Sequence, residues 1–218
     1  MSVYIDLVET DKQIAQLILQ DIVTQLNSII PTKLKSIDSR VRQATFTFIQ
    51  NTSTYESLVR GELAGHFGIP IRGRQNRIDN IVAAVSNRME ISYKPIVLRA
   101  GRLAHGLRFG VLMTDLSEVL GLPEANILTE KGQILPWLDW LLVLGDTIEI
   151  SEYEIQFRMG KGRSARAIMI ADNAGSWRVP PEFSGTLGDN WLTRAFKVNI
   201  NAYSFIIENI IKSELQGI

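Results

Sequence analysis

The sequence predicts an α+β fold in which N-terminal helices and a long C-terminal helix pack on a central, mostly antiparallel β-sheet. Apolar residues recur at helical spacing in residues 1–88 and again in residues 187–216, and the spacing changes to that of short strands in residues 89–186. The 218 residues contain no linker or internal repeat. One domain made of these three parts is therefore expected.

Four helices are expected in the first part of the chain. Thr10 opens a capping box, and the apolar stripe that follows it should end at Pro31. The second helix is placed over residues 32–49, and the third begins with the capping sequence STYE at Ser53. Apolar residues at helical spacing place the fourth helix over residues 77–89.

The middle part predicts short strands with two helical interruptions. MEISY, PIVLRA and LRFGVLM have the composition of strands, and residues 100–106 fit a hairpin connection. LSEVLGLPEA predicts a helical turn, and ILPWLDWLLVLG a short buried helix with Pro136 in its first turn. The alternation of DTIEISEYEIQF slips near Ser151, which predicts a β-bulge. RMGKGRSAR is then a turn, and AIMIA is the returning strand.

The connector WRVPPEFSGTLGDNW, residues 177–191, is stiff and apolar, and we name it the elbow. Pro180–Pro181 fix an extended backbone, and Gly185 allows a sharp turn. A lid over an active site needs mobility, so the elbow should either belong to the core or be held by another subunit. Thr186 and Asp189 resemble a capping box for the long helix that follows.

The sequence offers little for catalysis. It has no cysteine, and its two histidines, His66 and His105, lack a second ligand at metal spacing. GKGRS lies between two strands, whereas a phosphate-binding loop precedes a helix. Glu149, Glu152 and Glu154 are spaced as on a solvated strand face, and a glycosidase-type pair among them stays open. We expect a non-enzymatic protein with no cofactor and no metal site.

Charge is balanced overall but segregated along the chain. The 23 basic and 23 acidic residues cancel, so no overall field attracts nucleic acid or an anionic membrane. Residues 60–108 hold nine bases and three acids, whereas residues 109–157 hold nine acids and one base. Opposed zones of this kind suit head-to-tail contacts between copies. The candidates in the basic zone for contact with DNA or with a neighbouring ring are Arg72, Arg74, Arg77 and Arg88.

Residues 162–196 resemble a segment of virion structural proteins of tailed bacteriophages, in particular neck or tail-completion (head–tail connector) proteins. The similar features are the basic turn and strand of this segment, followed by Trp177, Val179, Pro180, Phe183, Gly185, Thr186, Asn190 and Trp191. The resemblance implies a homo-oligomeric ring around the DNA passage, in contact with other neck or tail proteins. It implies a location in the virion, and in the host cytoplasm during assembly.

The predicted partner surface combines the elbow with the basic turn before it. Its members are Trp177, Arg178, Pro180, Pro181, Phe183, Gly185, Asp189 and Trp191 in the elbow, and Lys161, Arg163 and Arg166 in the turn. Aromatic and arginine side chains are the types that anchor interfaces. Non-specific contact with packaged DNA is also expected, but no membrane contact, since the longest apolar run, residues 134–145, is too short to cross a bilayer.

Two other functions stay open at this point. One is a nucleic-acid-binding or assembly factor that uses the basic residues 60–108, because clustered arginines favour phosphate contacts. The other is a hydrolase with an acidic pair, for which the sequence indicates no substrate.

Overall fold

A computed structural model describes residues 10–111, 115–129, 132–158, 160 and 162–216. The predicted α+β class is confirmed, with 51% helix, 25% strand and helices at both ends. The helices are α1 Asp11–Gln50, α2 Ser53–Val59, α3 Leu63–His66, α4 Arg74–Asn87, α5 Ser117–Leu120, α6 Trp137–Leu142, α7 Trp191–Val198 and α8 Ile200–Leu215, with a 3₁₀ turn at Pro123–Ala125. The strands are β1 Met89–Arg99, β2 Arg102–Val111, β3 Ile127–Leu128, β4 Ile134–Leu135, β5 Ile148–Phe157 and β6 Ala167–Arg178.

In the part of the chain that the structure describes, the strands pair as three two-stranded sheets: β1 with β2, β3 with β4, and β5 with β6. Three separate ribbons therefore replace the single central sheet of the prediction. The register of the antiparallel β5–β6 ribbon shifts between Ser151 and Tyr153, where Glu152 takes a φ of 62°. The predicted β-bulge is confirmed at this point.

The contacts within the chain define two compact units. Unit 1 consists of Met1–Val41, Glu90–Gly110 and Glu208–Ile218, and unit 2 consists of Arg42–Met89 and Val111–Ile207. Each unit therefore joins segments that are distant in sequence, whereas the prediction grouped the residues in chain order.

Helix α1 passes through Pro31, so the predicted stop at this residue is wrong and the first two predicted helices are one. A proline inside a helix removes a hydrogen bond and costs about 3 kcal/mol. Ile30, Ile37, Val41 and Ile49 are buried along α1 on both sides of the proline. Because burying one such side chain contributes roughly 1.5–3 kcal/mol, the buried stripe outweighs the cost of the proline.

Other helix ends also differ from the prediction. Thr52, one residue before the predicted start, caps α2 by accepting a hydrogen bond from the backbone N–H of Tyr55 at 3.3 Å. Asn190 forms the capping box of α7 together with Thr193, in place of the predicted pair Thr186 and Asp189. The predicted long C-terminal helix is divided at Asn199, whose φ of −120° and ψ of 30° lie outside the helical region.

In unit 1, Asn27 of α1 binds the first ribbon. Its side-chain Nδ2 donates to the carbonyl oxygen of Ile96 at 2.9 Å, and the Ile96 N–H donates to its Oδ1 at 2.7 Å. The amide thus satisfies both polar backbone groups of one β1 residue, as a neighbouring strand would. Unit 1 also joins α8 to α1, since Glu214 of α8 accepts hydrogen bonds from Arg40 at 2.8 Å and from Ser36 at 2.9 Å.

The β1–β2 ribbon turns through two residues, Ala100 and Gly101, with φ values of 49° and 74°. Positive φ at both central residues is the geometry that two-residue hairpins favour. The predicted connection over residues 100–106 was therefore too long, since residues 102–106 belong to β2.

Unit 2 encloses a hydrophobic core that contains all four tryptophans of the chain. Phe67 lies at its centre, with its ring centroid 5.4 Å from that of Trp137 and 5.8 Å from that of Trp177. The rings of Trp140 and Trp177 are 5.4 Å apart. The predicted buried helix is confirmed as α6, which begins directly after Pro136. The first tryptophan of the elbow thus packs against both α3 and α6 through this ring cluster.

Candidate functional site

The elbow is held from within the chain by its two tryptophans. Trp177 is 5% exposed and Trp191 is 3% exposed. The indole N–H of Trp177 donates to Nδ1 of His66 at 3.2 Å, and that of Trp191 donates to the hydroxyl of Thr52 at 2.8 Å. Burial and a satisfied indole N–H are typical of a core tryptophan. The expectation that these two rings lie on a partner surface is therefore wrong.

Asn190, which is fully buried, fixes the turn of the elbow. Its Nδ2 donates to the carbonyl oxygens of Thr186 at 3.0 Å, Leu142 at 3.3 Å and Leu187 at 3.4 Å. Its Oδ1 accepts from two backbone N–H groups in the first turn of α7, both at 3.1 Å. A Cβ at Gly185 would lie 2.5 Å from the Cβ of Asn190, so only glycine fits there. The turn is therefore fixed by buried contacts.

With its anchors buried, the elbow presents its turn to solvent. Leu187, in the turn, is 46% exposed. Leu144, which forms a β-bridge with Thr186, is 40% exposed, and Ile148, opposite Arg178 in the β5–β6 register, is 63% exposed. We name Leu144, Ile148 and Leu187 the elbow patch. It is a set of large apolar side chains around a fixed backbone, which is a feature of interaction surfaces.

The remaining predicted members of the elbow surface differ in exposure. Arg178, Pro181 and Asp189 are exposed, Pro180 and Phe183 are half-buried, and Gly185 is buried. Arg178 pairs with Asp146 at 3.1 Å, and Asp189 pairs with Arg194 at 3.0 Å. The hydrogen bond from Arg194 lowers the pKa of Asp189. Exposed pairs of this kind add little stability, so these charges stay available to a partner.

The basic turn before the elbow is only partly within the described residues, since Lys161 lies outside them. Arg163 is exposed, and its Nε donates to the carbonyl oxygen of Gly68 at 2.8 Å. Arg166 is half-buried, and its carbonyl oxygen accepts from the N–H of Arg158 at 2.8 Å. The turn is therefore fixed to Gly68, two residues after α3, and to Arg158, directly after β5.

Arg74 is the clearest correction among the arginines predicted to face DNA or a neighbouring ring. It is 5% exposed, and its guanidinium donates to the carbonyl oxygens of Ser164 at 2.6 Å, Ile69 at 2.7 Å and Val59 at 3.3 Å. Burial, followed by the charge of Arg166, lowers its pKa. Arg74 is therefore a core residue that joins three backbone segments, and its prediction as a DNA contact is wrong.

The other three arginines predicted to face DNA or a neighbouring ring differ in exposure and in their contacts. Arg77 is half-buried and donates to the carbonyl oxygens of the 3₁₀ turn, at 2.9 Å to Glu124. Arg88 is half-buried and pairs with Glu118. Its Nε is the one buried side-chain nitrogen or oxygen without a hydrogen-bond partner among the described residues. Of the four predicted arginines, Arg72 is the exposed one.

A groove of about 640 Å³ lies beside the elbow in unit 2. Its walls are largely apolar and include Trp140, Ile155 and Trp177, and its ionisable lining residues are His66, Tyr153 and Arg163. No carboxylate lies among the described lining residues, and Glu149, Glu152 and Glu154 do not line it. The described lining therefore provides apolar surface and hydrogen-bond donors, without the paired acid and base that hydrolysis requires.

His66 contributes an imidazole to the lining of this groove. Burial lowers its pKa, and the charges of Glu62 and Glu182 act weakly in the opposite direction. Its Nδ1 accepts the indole N–H of Trp177, so the neutral ring carries its proton on Nε2. A neutral histidine held in this way serves as a packing and hydrogen-bonding partner of the elbow.

A metal site and a membrane-spanning helix each require particular features of the described residues. Within them, no group of three or more His, Cys, Asp or Glu side chains is placed to hold a metal ion. Among the helices that the structure describes, none has the length and apolar character required to cross a membrane. Comparison of the chain with protein-family models, with curated proteins and with solved structures finds no match.

Sequence reasoning missed the residues that shape and present the elbow. The sequence could have identified Asn190 as a helix cap, because an asparagine directly before an apolar helix with a threonine three residues later is typical of one. Leu187 could also have been identified, since it is an isolated leucine within a glycine-rich turn. Leu144 and Ile148 could not, because their position beside the elbow depends on the pairing of distant segments.

Proposed function

We propose that the protein is a non-enzymatic structural component of a tailed-phage virion. It assembles with copies of itself into a ring at the neck, the head–tail junction or the tail end, and joins neighbouring rings around the DNA channel. The phage assignment rests on the resemblance of residues 162–196. The observation that supports self-assembly is the elbow patch, in which Leu144, Ile148 and Leu187 are exposed around a backbone that Asn190 fixes.

A fixed apolar surface suits assembly for a physical reason. Binding orders mobile loops and side chains, and this ordering reduces affinity. The elbow turn is already ordered by the buried Asn190 and Trp191, so little further entropy is lost when a partner covers it. The two-stranded ribbons add to this. Within the described residues no third strand pairs with them, so their edges offer backbone donors and acceptors to a neighbour wherever a side chain such as that of Asn27 does not already satisfy them.

In this proposal the partners are other copies of the chain, other neck or tail proteins and, through non-specific contacts, packaged DNA. The protein acts in the virion after assembly in the host cytoplasm, and it uses no cofactor. Two exposed members of the elbow supply charged side chains beside the patch, since Arg178 is opposite Ile148 in the β5–β6 register and Asp189 is two residues after Leu187.

For the alternative, a nucleic-acid-binding factor that uses residues 60–108, the four arginines predicted to contact DNA give little support. Arg74 is buried in the core, Arg77 binds backbone carbonyl groups, and Arg88 pairs with Glu118. An arginine contacts phosphates effectively when its guanidinium is free to reach them. Of the four arginines singled out for this role, Arg72 keeps that freedom by exposure.

Self-association of the purified protein tests the proposal. We expect the wild type to form closed rings, and Leu187→Glu combined with Leu144→Glu to weaken association by about tenfold or more, because charges are inserted into an apolar contact. Light scattering after size-exclusion chromatography gives the masses, and negative-stain electron microscopy shows the rings.

The matched control is Leu128→Glu, which changes an exposed leucine of β3 (69% exposed) outside the elbow. It should assemble like the wild type. Equal assembly of the double elbow variant and the wild type would contradict the role of the elbow patch. Immunogold labelling of purified particles of the encoding phage tests the location, and label at neither neck nor tail would contradict the virion assignment.

A further inference from the structure

The β1–β2 ribbon of unit 1 carries a concentrated positive charge. Lys94, Arg99, Arg102 and Arg108 are exposed, and Glu90 is the only acid between the two ends of the ribbon. None of these four cations forms an ion pair with another residue that the structure describes. The charge is therefore uncompensated on a protein whose total formal charge is zero.

The matching negative charge lies on strand β5 of unit 2. Glu149, Glu152 and Glu154 stand on this strand, which contains no base. Glu152 is exposed at the β-bulge, and the other two are half-buried. Glu149 accepts from the hydroxyl of Thr147, and Glu154 accepts from the side chain of Gln156, both at 2.6 Å. Within the described residues none of these three carboxylates forms an ion pair.

We propose that the basic β1–β2 ribbon of one copy lies along the acidic strand β5 of a second copy. This inference rests on the proposed self-assembly and names the charged surfaces that meet in it. Every copy carries one ribbon and one β5, so the contact is head-to-tail, and its repetition closes into a ring when the rotation between copies permits. In the described residues β5 pairs with β6 alone, which leaves its other edge open to the partner.

Charge reversal with reciprocal rescue tests the contact. The ribbon-reversed variant is Arg99→Glu with Arg102→Glu, and the strand-reversed variant is Glu149→Lys with Glu152→Lys. Each alone juxtaposes like charges and should weaken self-association by about tenfold or more. An equimolar mixture of the two should assemble again to within about threefold of the wild type, because each altered surface then meets its complement.

Two controls separate this contact from a general effect of charge. Lys12→Glu with Lys35→Glu reverses two exposed cations of α1 and should leave assembly unchanged. The wild type should dissociate as salt rises, since ions screen charges beyond about 10 Å at 0.1 M. Thermal unfolding of every variant shows whether it is folded, and each should unfold in a single cooperative transition like the wild type.

Four outcomes would overturn the inference. Assembly insensitive to both reversals would contradict this contact alone and leave the elbow proposal standing. Failure of the two folded variants to associate with each other would show that the two surfaces do not meet. Salt-sensitive binding of a duplex oligonucleotide that only the ribbon-reversed variant loses, without a change in assembly, would assign the ribbon to nucleic acid instead. A monomeric wild type would contradict both proposals.

Discussion

Asn190 determines the elbow by satisfying three backbone carbonyl groups and the start of α7 with one buried side chain. We expect Asn190→Ala to lower the free energy of unfolding by about 2–4 kcal/mol, because it removes a helix cap and leaves buried carbonyl groups unpaired. Urea denaturation measures the change. Asn173→Ala, at an exposed position of β6, is the control and should change it by less than about 0.5 kcal/mol. An equal effect of both substitutions would contradict this role.

His66 makes stability depend on pH in a defined direction. Burial lowers its pKa below the ordinary 6.5, so the unfolded chain takes up a proton before the folded chain does. Its contribution is complete above pH 6.5 and is lost as the pH falls from 6.5 through the lowered pKa of the folded protein. We expect the fall in unfolding free energy between about pH 8 and about pH 5.5 to be smaller in His66→Gln, which removes this proton but keeps an acceptor for Trp177.

The same urea titrations provide the control for His66. Asn173→Ala, an exposed substitution on β6 that changes no ionisable group, should retain the wild-type fall in stability between the two pH values. An unchanged pH dependence in His66→Gln would contradict the lowering of the His66 pKa by burial.

At the scale of elements, the sequence predicted correctly the features that depend on residues close together in the chain. The β-bulge near Ser151 follows from a phase slip within one strand, and α6 follows from an apolar run after Pro136, so both were predictable. Pro31 misled the prediction because its local cost is outweighed by burial along the whole of α1. The elbow was ambiguous for a related reason, since tryptophans suit a core and an interface equally well.

Pro31 gives the element-scale prediction. Pro31→Ala should stabilise the protein by about 1–3 kcal/mol, because it restores the hydrogen bond of α1 at the expense of a more flexible unfolded chain. Lys35→Ala, at an exposed position of the same helix, is the control for helix propensity and should change stability by less than about 0.5 kcal/mol. Chemical denaturation of both variants measures the difference, and a destabilised Pro31→Ala would show that the helix depends on its proline.

At the scale of the whole molecule, each unit brings together segments that no local pattern connects. Leu144 reaches the elbow through a bridge to Thr186, and Arg74 binds Ser164 across ninety positions of sequence. The sequence therefore indicated the elbow as a site, while only the pairing of these segments showed which of its side chains are exposed. Charge segregation was visible in the sequence, and the structure places four of the exposed cations on the β1–β2 ribbon and three of the carboxylates on β5.

We propose that copies of this chain bind one another in a closed assembly. The most direct test is the mass of the purified wild-type protein, measured by light scattering over a range of concentrations, with rotational averages of the same sample from electron microscopy. We expect a single mass that is a whole multiple of the 24.5 kDa chain. The rings should contain the number of subunits that this ratio gives. A mass of one chain at every concentration, with no rings, would contradict this proposal.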